Sequence, residues 1–180
     1  MSDWLGANDH VHIATNVAPE VLGRGGLQYA AMKSGLMKQA DKIVIEITER
    51  GLPDETTLGA LRLATNNLKF AIDDFGTGHA QIERLTEMDV DIIKIDKSFV
   101  DKITAEKKCP KLIKGLAAFA KAMDMEVIAE GVESELQART PTELGIVMSQ
   151  GWYFSRPLKA DAFRDFHRRH MRYPSRAVSM

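Results

Sequence analysis

At 180 residues, with a formal net charge of -1 and 44% hydrophobic residues, the chain is sized for one globular domain with a real core. The near-neutral balance excludes a bulk nucleic-acid binder, so no DNA partner is expected, while a small anionic ligand stays open. One cysteine, Cys109, excludes an internal disulfide; no apolar run nears the ~20 residues of a membrane span, and Met1-Ser2-Asp3-Trp4 opens no signal peptide, so a cytoplasmic setting is expected.

In chain order, residues 1–10 read as mixed and polar. His12 to Asn16 reads as a short strand, Pro19-Glu20 opens a helical turn, and Gly23 to Gly26 reads as a turn rather than a phosphate loop. Leu27 to Ala40 is predicted as one helix. The β-branched run Ile43-Val44-Ile45-Glu46-Ile47 is predicted as a strand. Pro53-Asp54-Glu55 carries the signals of a helix start, with that helix running to about Asn67. A strand Lys69–Asp73 follows, then a helix from His79 to Met88 and a strand from Asp91 to Asp96. Lys107 to Met123 has helical spacing of Leu112, Leu116, Ala120 and Met123. Strand Glu126–Ala129, a helix from Glu133 towards Leu144, a strand-like stretch Ile146–Phe154 and a helix opened by Pro157 and Asp161 complete the order. Residues 172–180 read as a frayed tail. Strands alternating with helices in this way predict an α/β fold with parallel strands joined by helical crossovers, in a single domain over 1–180.

The chemistry gathers at the strand ends. Asn16, Glu46, Asp73, Lys94, Glu130 and Gln150 each stand at the C-terminal end of a predicted strand. Two residues back, on the same strand face, the first five strands carry Ala14, Val44, Ala71, Ile92 and Ile128. An apolar layer capped in register by a polar rosette is the pattern of a parallel barrel, whose sites lie at the C-terminal strand ends. Asp73 and Asp74 are adjacent carboxylates, which at about 4 Å and an effective dielectric near 20 repel by roughly 4 kcal/mol. Two readings stand for the pair: a polar junction with Asp74 capping the next helix, or a cation site. The whole set of strand ends favours the second. Oxygen donors without His pairs or Cys/His clusters suit Mg²⁺ or Mn²⁺ rather than zinc. Several carboxylates, an adjacent Asp pair and one lysine are what two-metal phosphoryl hydrolysis needs. Glu49 and Glu133 lie one loop further out.

Five blocks together resemble the successive signatures of the EAL-domain family of bacterial cyclic di-GMP phosphodiesterases. They are Ile45 to Glu49, Asp73 to Gly78, Ile93 to Val100, Ile128 to Glu133 and Gln150 to Leu158. The resemblance implies a TIM-type (β/α)₈ barrel that binds two Mg²⁺ or Mn²⁺ ions and opens cyclic di-GMP to linear pGpG. Carried over, Asn16, Glu46 and Asp73 resemble ligands of the first metal, with Asp73 bridging and Asp74 on the second. Lys94 is similar to the lysine that holds the attacking water. Glu130 resembles the acidic residue at the second metal or its water, a candidate general base. Glu133, Gln150 and the Pro157 loop stand where the family supports metal-bound waters and substrate, and Glu49 resembles its loop-stabilising glutamate. The Glu-Ala-Leu block that names the family occurs nowhere in this chain, and Gly78-His79-Ala80-Gln81 departs from the family's aromatic and serines. By the resemblance, the chain comprises about six of the eight βα units and is N-terminally incomplete, the missing segment or a sensor domain being an expected partner. Exposed strand edges then predict self-association, and the absent glutamate predicts impaired turnover. A non-catalytic EAL-like module binding nucleotide or protein is the alternative. His167 and His170 with Arg164, Arg168 and Arg169 read as a solvated helix face, the nine methionines as core filler, and Cys109 as an inert thiol.

Overall fold

The computed structural model describes residues 2–22, 25–65, 68–77, 82–106 and 111–172. Six strands form one sheet: β1 (Ile13–Asn16), β2 (Ile43–Thr48), β3 (Lys69–Phe75), β4 (Ile92–Ile95), β5 (Glu126–Ala129) and β6 (Met148–Ser149). They lie side by side in sequence order, and every neighbouring pair is parallel. The α-helices among the described residues are α1 (Ser2–Gly6), α2 (Pro19–Leu22), α3 (Gly26–Ser34), α4 (Glu55–Ala64), α5 (Ile82–Glu87), α6 (Lys97–Val100), α7 (Lys111–Ala122), α8 (Glu135–Glu143) and α9 (Ala160–Arg172). A sequential parallel sheet with helical crossovers is the barrel topology, here with β1 and β6 as edges.

The sheet holds because its strands are apolar on both faces. Ile45, Ile47, Phe70, Ile72 and Ile93 are buried against Leu58, Leu61 and Leu85 from α4 and α5. On the inner face Val44, Ala71 and Ile92 form a small cluster with Ile128 against it. These are the residues expected one layer beneath the polar strand ends. Ala14 is the exception, exposed on the edge strand, which has a neighbour on one side only.

The local signals act as expected where they are strong. Asp54 caps α4 by accepting the Thr57 N–H at 2.7 Å. Ser134 and Gln137 close a reciprocal capping box on α8. Three expectations change. The helix over 27–40 breaks at Gly35, whose φ of 74° turns the chain left-handed and passes it into a 3₁₀ turn over Leu36–Lys42. The last strand shrinks to Met148–Ser149, because the chain turns at 152–154. Residues 1–10, read as mixed and polar with no element assigned, contain α1, whose Leu5 is fully buried and whose carbonyl Lys42 caps from 3.0 Å.

Trp4 of α1 stands edge-on to two rings of α9: Phe163 at 5.7 Å and His167 at 5.4 Å between centroids. His170 stacks on Phe166 at 3.9 Å. Of the residues read as a solvated face, His167 is half-buried and packs on Trp4, while Arg168, Arg169 and His170 are exposed as expected. Gly78 to Gln81, Gly23-Arg24, Cys109 and residues 173–180 lie outside the described residues. Among the described residues no helix is long and apolar enough to cross a membrane.

Candidate active site

The strand ends do not form a level ring. Asn16 pairs with Glu46, but Glu46 pairs with Ala71, so Asp73 stands two residues higher, opposite Thr48. Lys94 pairs with Ile128, so Glu130 stands two residues above Lys94. The expected level register is thus replaced by a climb in steps of two. This is the shear of a tilted parallel barrel, in which strand ends rise around the axis while facing the same way. Long side chains close the height difference.

Lys94 is where they close it. Its Nζ lies 2.6 Å from Glu46 Oε1, 2.8 Å from Asp73 Oδ1 and 2.8 Å from Glu130 Oε1. The residue is 3% exposed. Burial acts to lower its pKa, yet hydrogen bonds to Asp73, Glu130 and Glu46 outweigh burial and hold it above the ordinary lysine value. Lys94 is therefore a fixed positive charge. Gln150 donates through Nε2 to the same Oε1 of Glu130. Burial raises the Glu130 carboxyl above the usual carboxylate value, against the opposing pull of Lys94, with Asp73 and Glu46 adding to the rise.

The Asp pair owes its geometry to a bulge. Ile72 pairs with Ile93 and Phe75 with Ile95, so Asp73 and Asp74 together oppose Lys94. In a regular strand adjacent side chains leave on opposite faces. Here Asp74 adopts φ 55°, a left-handed conformation that aspartate tolerates better than most residues. As a result one carboxylate oxygen each from Asp73, Asp74 and Glu130 lie within 4.8 Å of one another. Partial burial, the Asp73 charge and the Asp96 charge all raise the Asp74 pKa. Asp74 and Glu130, whose ionisation is penalised, converge with Asp73 into a group that a cation would relieve.

The structure thus brings together Glu46, Asp73, Asp74, Lys94, Glu130 and Gln150. Asn16 is exposed beside Glu46 on the edge strand. Glu49 is buried in a 3₁₀ turn over Glu49–Gly51 beyond β2. Pro157 is exposed in the segment before α9. Glu133 does not join the cluster; it pairs with Lys97 at 2.8 Å, which also holds Asp101 at 2.9 Å. Lys97, Asp96 and Gln137 were not singled out from sequence. Gln137 accepts the N–H groups of Glu133 at 2.8 Å and Ser134 at 3.2 Å, anchoring the segment that follows Glu130. The Ser134-to-Gln137 capping spacing was the available signal.

The EAL domain family model matches residues 1–157. The chain is 32% identical over 161 residues to the cyclic di-GMP phosphodiesterase RocR of Pseudomonas aeruginosa, covering 87% of this chain and 41% of RocR. It therefore spans about two fifths of that relative's length. Among solved structures it resembles a PaMucR phosphodiesterase in complex with c-di-GMP, at TM-score 0.78 and 26% identity, covering 91% of this chain and 68% of that one. It also resembles Klebsiella pneumoniae BlrP1 in a manganese and cyclic di-GMP complex, at TM-score 0.71 and 29% identity, covering 87% of this chain and 41% of that one.

Proposed function

Because the chain belongs to the EAL domain family, we propose that it is a cyclic di-GMP phosphodiesterase domain, hydrolysing one phosphodiester bond of cyclic di-GMP to give linear pGpG. The observation that carries this reading is the buried ammonium of Lys94 gathering Glu46, Asp73 and Glu130 at the C-terminal strand ends.

Divalent cations fit the donor set. The convergent oxygens of Asp73, Asp74 and Glu130 are hard ligands without competing sulfur or imidazole. Asn16 and Glu46 would extend the set on the β1 and β2 side. Mg²⁺ or Mn²⁺ bound there would supply charge to the phosphate oxygens and make water a stronger acid. The protein's own groups do the rest. Gln150 engages Glu130 and orients its carboxylate to accept a proton from the attacking water. The raised Glu130 pKa brings that carboxylate closer to a useful base strength. Gln150 orients Glu130 and, with the Pro157 segment, faces the substrate. Glu133 acts at a distance, through its pairing with Lys97 and the backbone that leads to Glu130. Glu49 steadies the loop after β2. A cytoplasmic setting belongs to the same proposal.

A second reading is a non-catalytic module that binds the nucleotide. One experiment separates them. Cyclic di-GMP is incubated with the protein and Mn²⁺, and pGpG is followed by chromatography, with Asp73→Asn as background. Conversion above background supports hydrolysis. Calorimetric nucleotide binding with no conversion supports the module. A version extended by two further βα units before β1, supplying one more carboxylate, is expected to turn over about several hundred-fold faster, from recovered alignment and charge stabilisation.

A further inference from the structure

An ammonium has three protons to donate. Lys94 is within hydrogen-bond reach of one carboxylate from each of β2, β3 and the end of β5, at 2.6, 2.8 and 2.8 Å, and it is 3% exposed. All three donors are committed. In this arrangement Lys94 has no proton left for a water or a phosphate oxygen. Two of its partners, Asp73 and Glu130, are also two of the three acids whose oxygens converge. The third convergent acid, Asp74, is not one of the three carboxylates that Lys94 bonds. Glu46 is the partner that lies outside the convergent set.

We infer that Lys94 is an internal cation that competes with divalent ions for Asp73 and Glu130, so that the site has two states. In the closed state the ammonium bridges Glu46, Asp73 and Glu130. In the open state a divalent ion takes Asp73 and Glu130 together with Asp74, and Lys94 keeps Glu46. Only the open state frees ammonium protons for water or substrate. The same lysine thus keeps the acids assembled without metal and becomes available once metal arrives. The inference rests on the proposed divalent site, and it concerns what Lys94 does before any substrate binds.

The test uses Mn²⁺ alone. Isothermal titration compares the full chain with Lys94→Met, which keeps most of the side-chain length and removes the charge. Lys94→Met is expected to bind Mn²⁺ at least about ten-fold more tightly, because the acids no longer have a resident cation. Its thermal midpoint is expected to fall without metal and recover with saturating Mn²⁺. Equal or weaker Mn²⁺ binding by folded Lys94→Met overturns the inference while leaving the metal reading intact. Mn²⁺ binding by neither protein overturns both. Should Lys94→Met not fold, the wild-type chain answers instead. The lysine NH₃⁺ resonances are followed by NMR during titration with diamagnetic Mg²⁺. A sheltered ammonium signal that shifts or broadens in step with Mg²⁺ supports displacement, and one unchanged at saturation overturns it.

Discussion

Asp74 shows how a single residue carries a site at the expense of the fold. Its backbone is left-handed and its carboxyl is raised by burial and by the charges of Asp73 and Asp96. A carboxyl whose folded pKa lies above its unfolded value destabilises the fold once ionised. That cost is absent below the unfolded pKa, near 3.8, and develops as pH rises through the folded value. Asp74→Asn removes the charge and keeps a residue suited to positive φ. Without divalent metal, the variant should therefore melt slightly higher than wild type at about pH 7. The difference should vanish as pH falls below about 3, where the Asp74 carboxyl is mostly protonated in the folded and the unfolded chain alike. Mn²⁺ binding should weaken in the same variant. Melting curves at the two pH values, with calorimetry alongside, check both parts; a variant less stable than wild type at neutral pH would remove the claimed strain. At this scale the sequence was informative. Asp73, Asp74, Lys94 and Glu130 are chemistry-bearing residues at strand ends, and each joins the cluster. What it could not reveal was that Lys94 would bind three of the acids, since that depends on side chains reaching across different heights. Glu133 likewise carries the right chemistry but is drawn away by Lys97.

The strands and their turns set those heights. β2 and β4 were legible as β-branched runs, and α4 from its proline and acidic start. The climb of two residues between β2 and β3, and again between β4 and β5, was not legible. It follows from strand tilt, which no single strand's sequence encodes. The β3 bulge was hidden for a similar reason, since a bulge is defined by its partner strand. The break at Gly35 was readable in principle, because glycine is the common left-handed stop of a helix. Glycines also decide how the Glu130 segment meets β6. A side chain at Gly151 would place its Cβ 2.1 Å from the Val132 carbonyl oxygen and 2.3 Å from its nitrogen. At Gly131 the obstruction is the Lys97 side chain, with Cγ 2.4 Å away, and φ is 66°. Backbone cannot step aside as a lysine can. Gly151→Ala should therefore cost more than about 3 kcal/mol and Gly131→Ala about 1–2 kcal/mol. Urea unfolding of the two variants checks the order. If Gly131→Ala proves the worse, Lys97 is held more firmly than the backbone between β5 and α8.

Taken whole, the molecule is a curled parallel sheet with two edges, β1 and β6. The sequence made the six-unit repeat legible, because period and β-branching recur in each unit. It gave no hint that the first and last described helices would meet. A contact between chain ends depends on the curvature of everything between them. Trp4 of α1 makes that contact, edge-on to Phe163 and His167 of α9. Each such aromatic pair adds about 0.5–1.5 kcal/mol beyond the area it buries. Trp4→Ala should therefore destabilise the chain by about 2 kcal/mol, lowering the midpoint by roughly 4–8 °C. The larger consequence concerns association. β1 exposes Ala14, Thr15 and Asn16, and an unpaired parallel edge is a template for another chain. We propose that the chain self-associates through this edge. With α1 released from α9, access to β1 should widen, and the apparent mass of Trp4→Ala should rise more steeply with concentration than that of wild type. Thr15→Lys, a charge on the exposed edge strand, should reduce the association of both proteins. Static light scattering over a concentration series, at temperatures where all variants are folded, reads the three together. Strong association by Trp4→Ala that Thr15→Lys leaves untouched would show that copies meet through the uncovered rings of α9, and that the β1 edge is not the sticking surface.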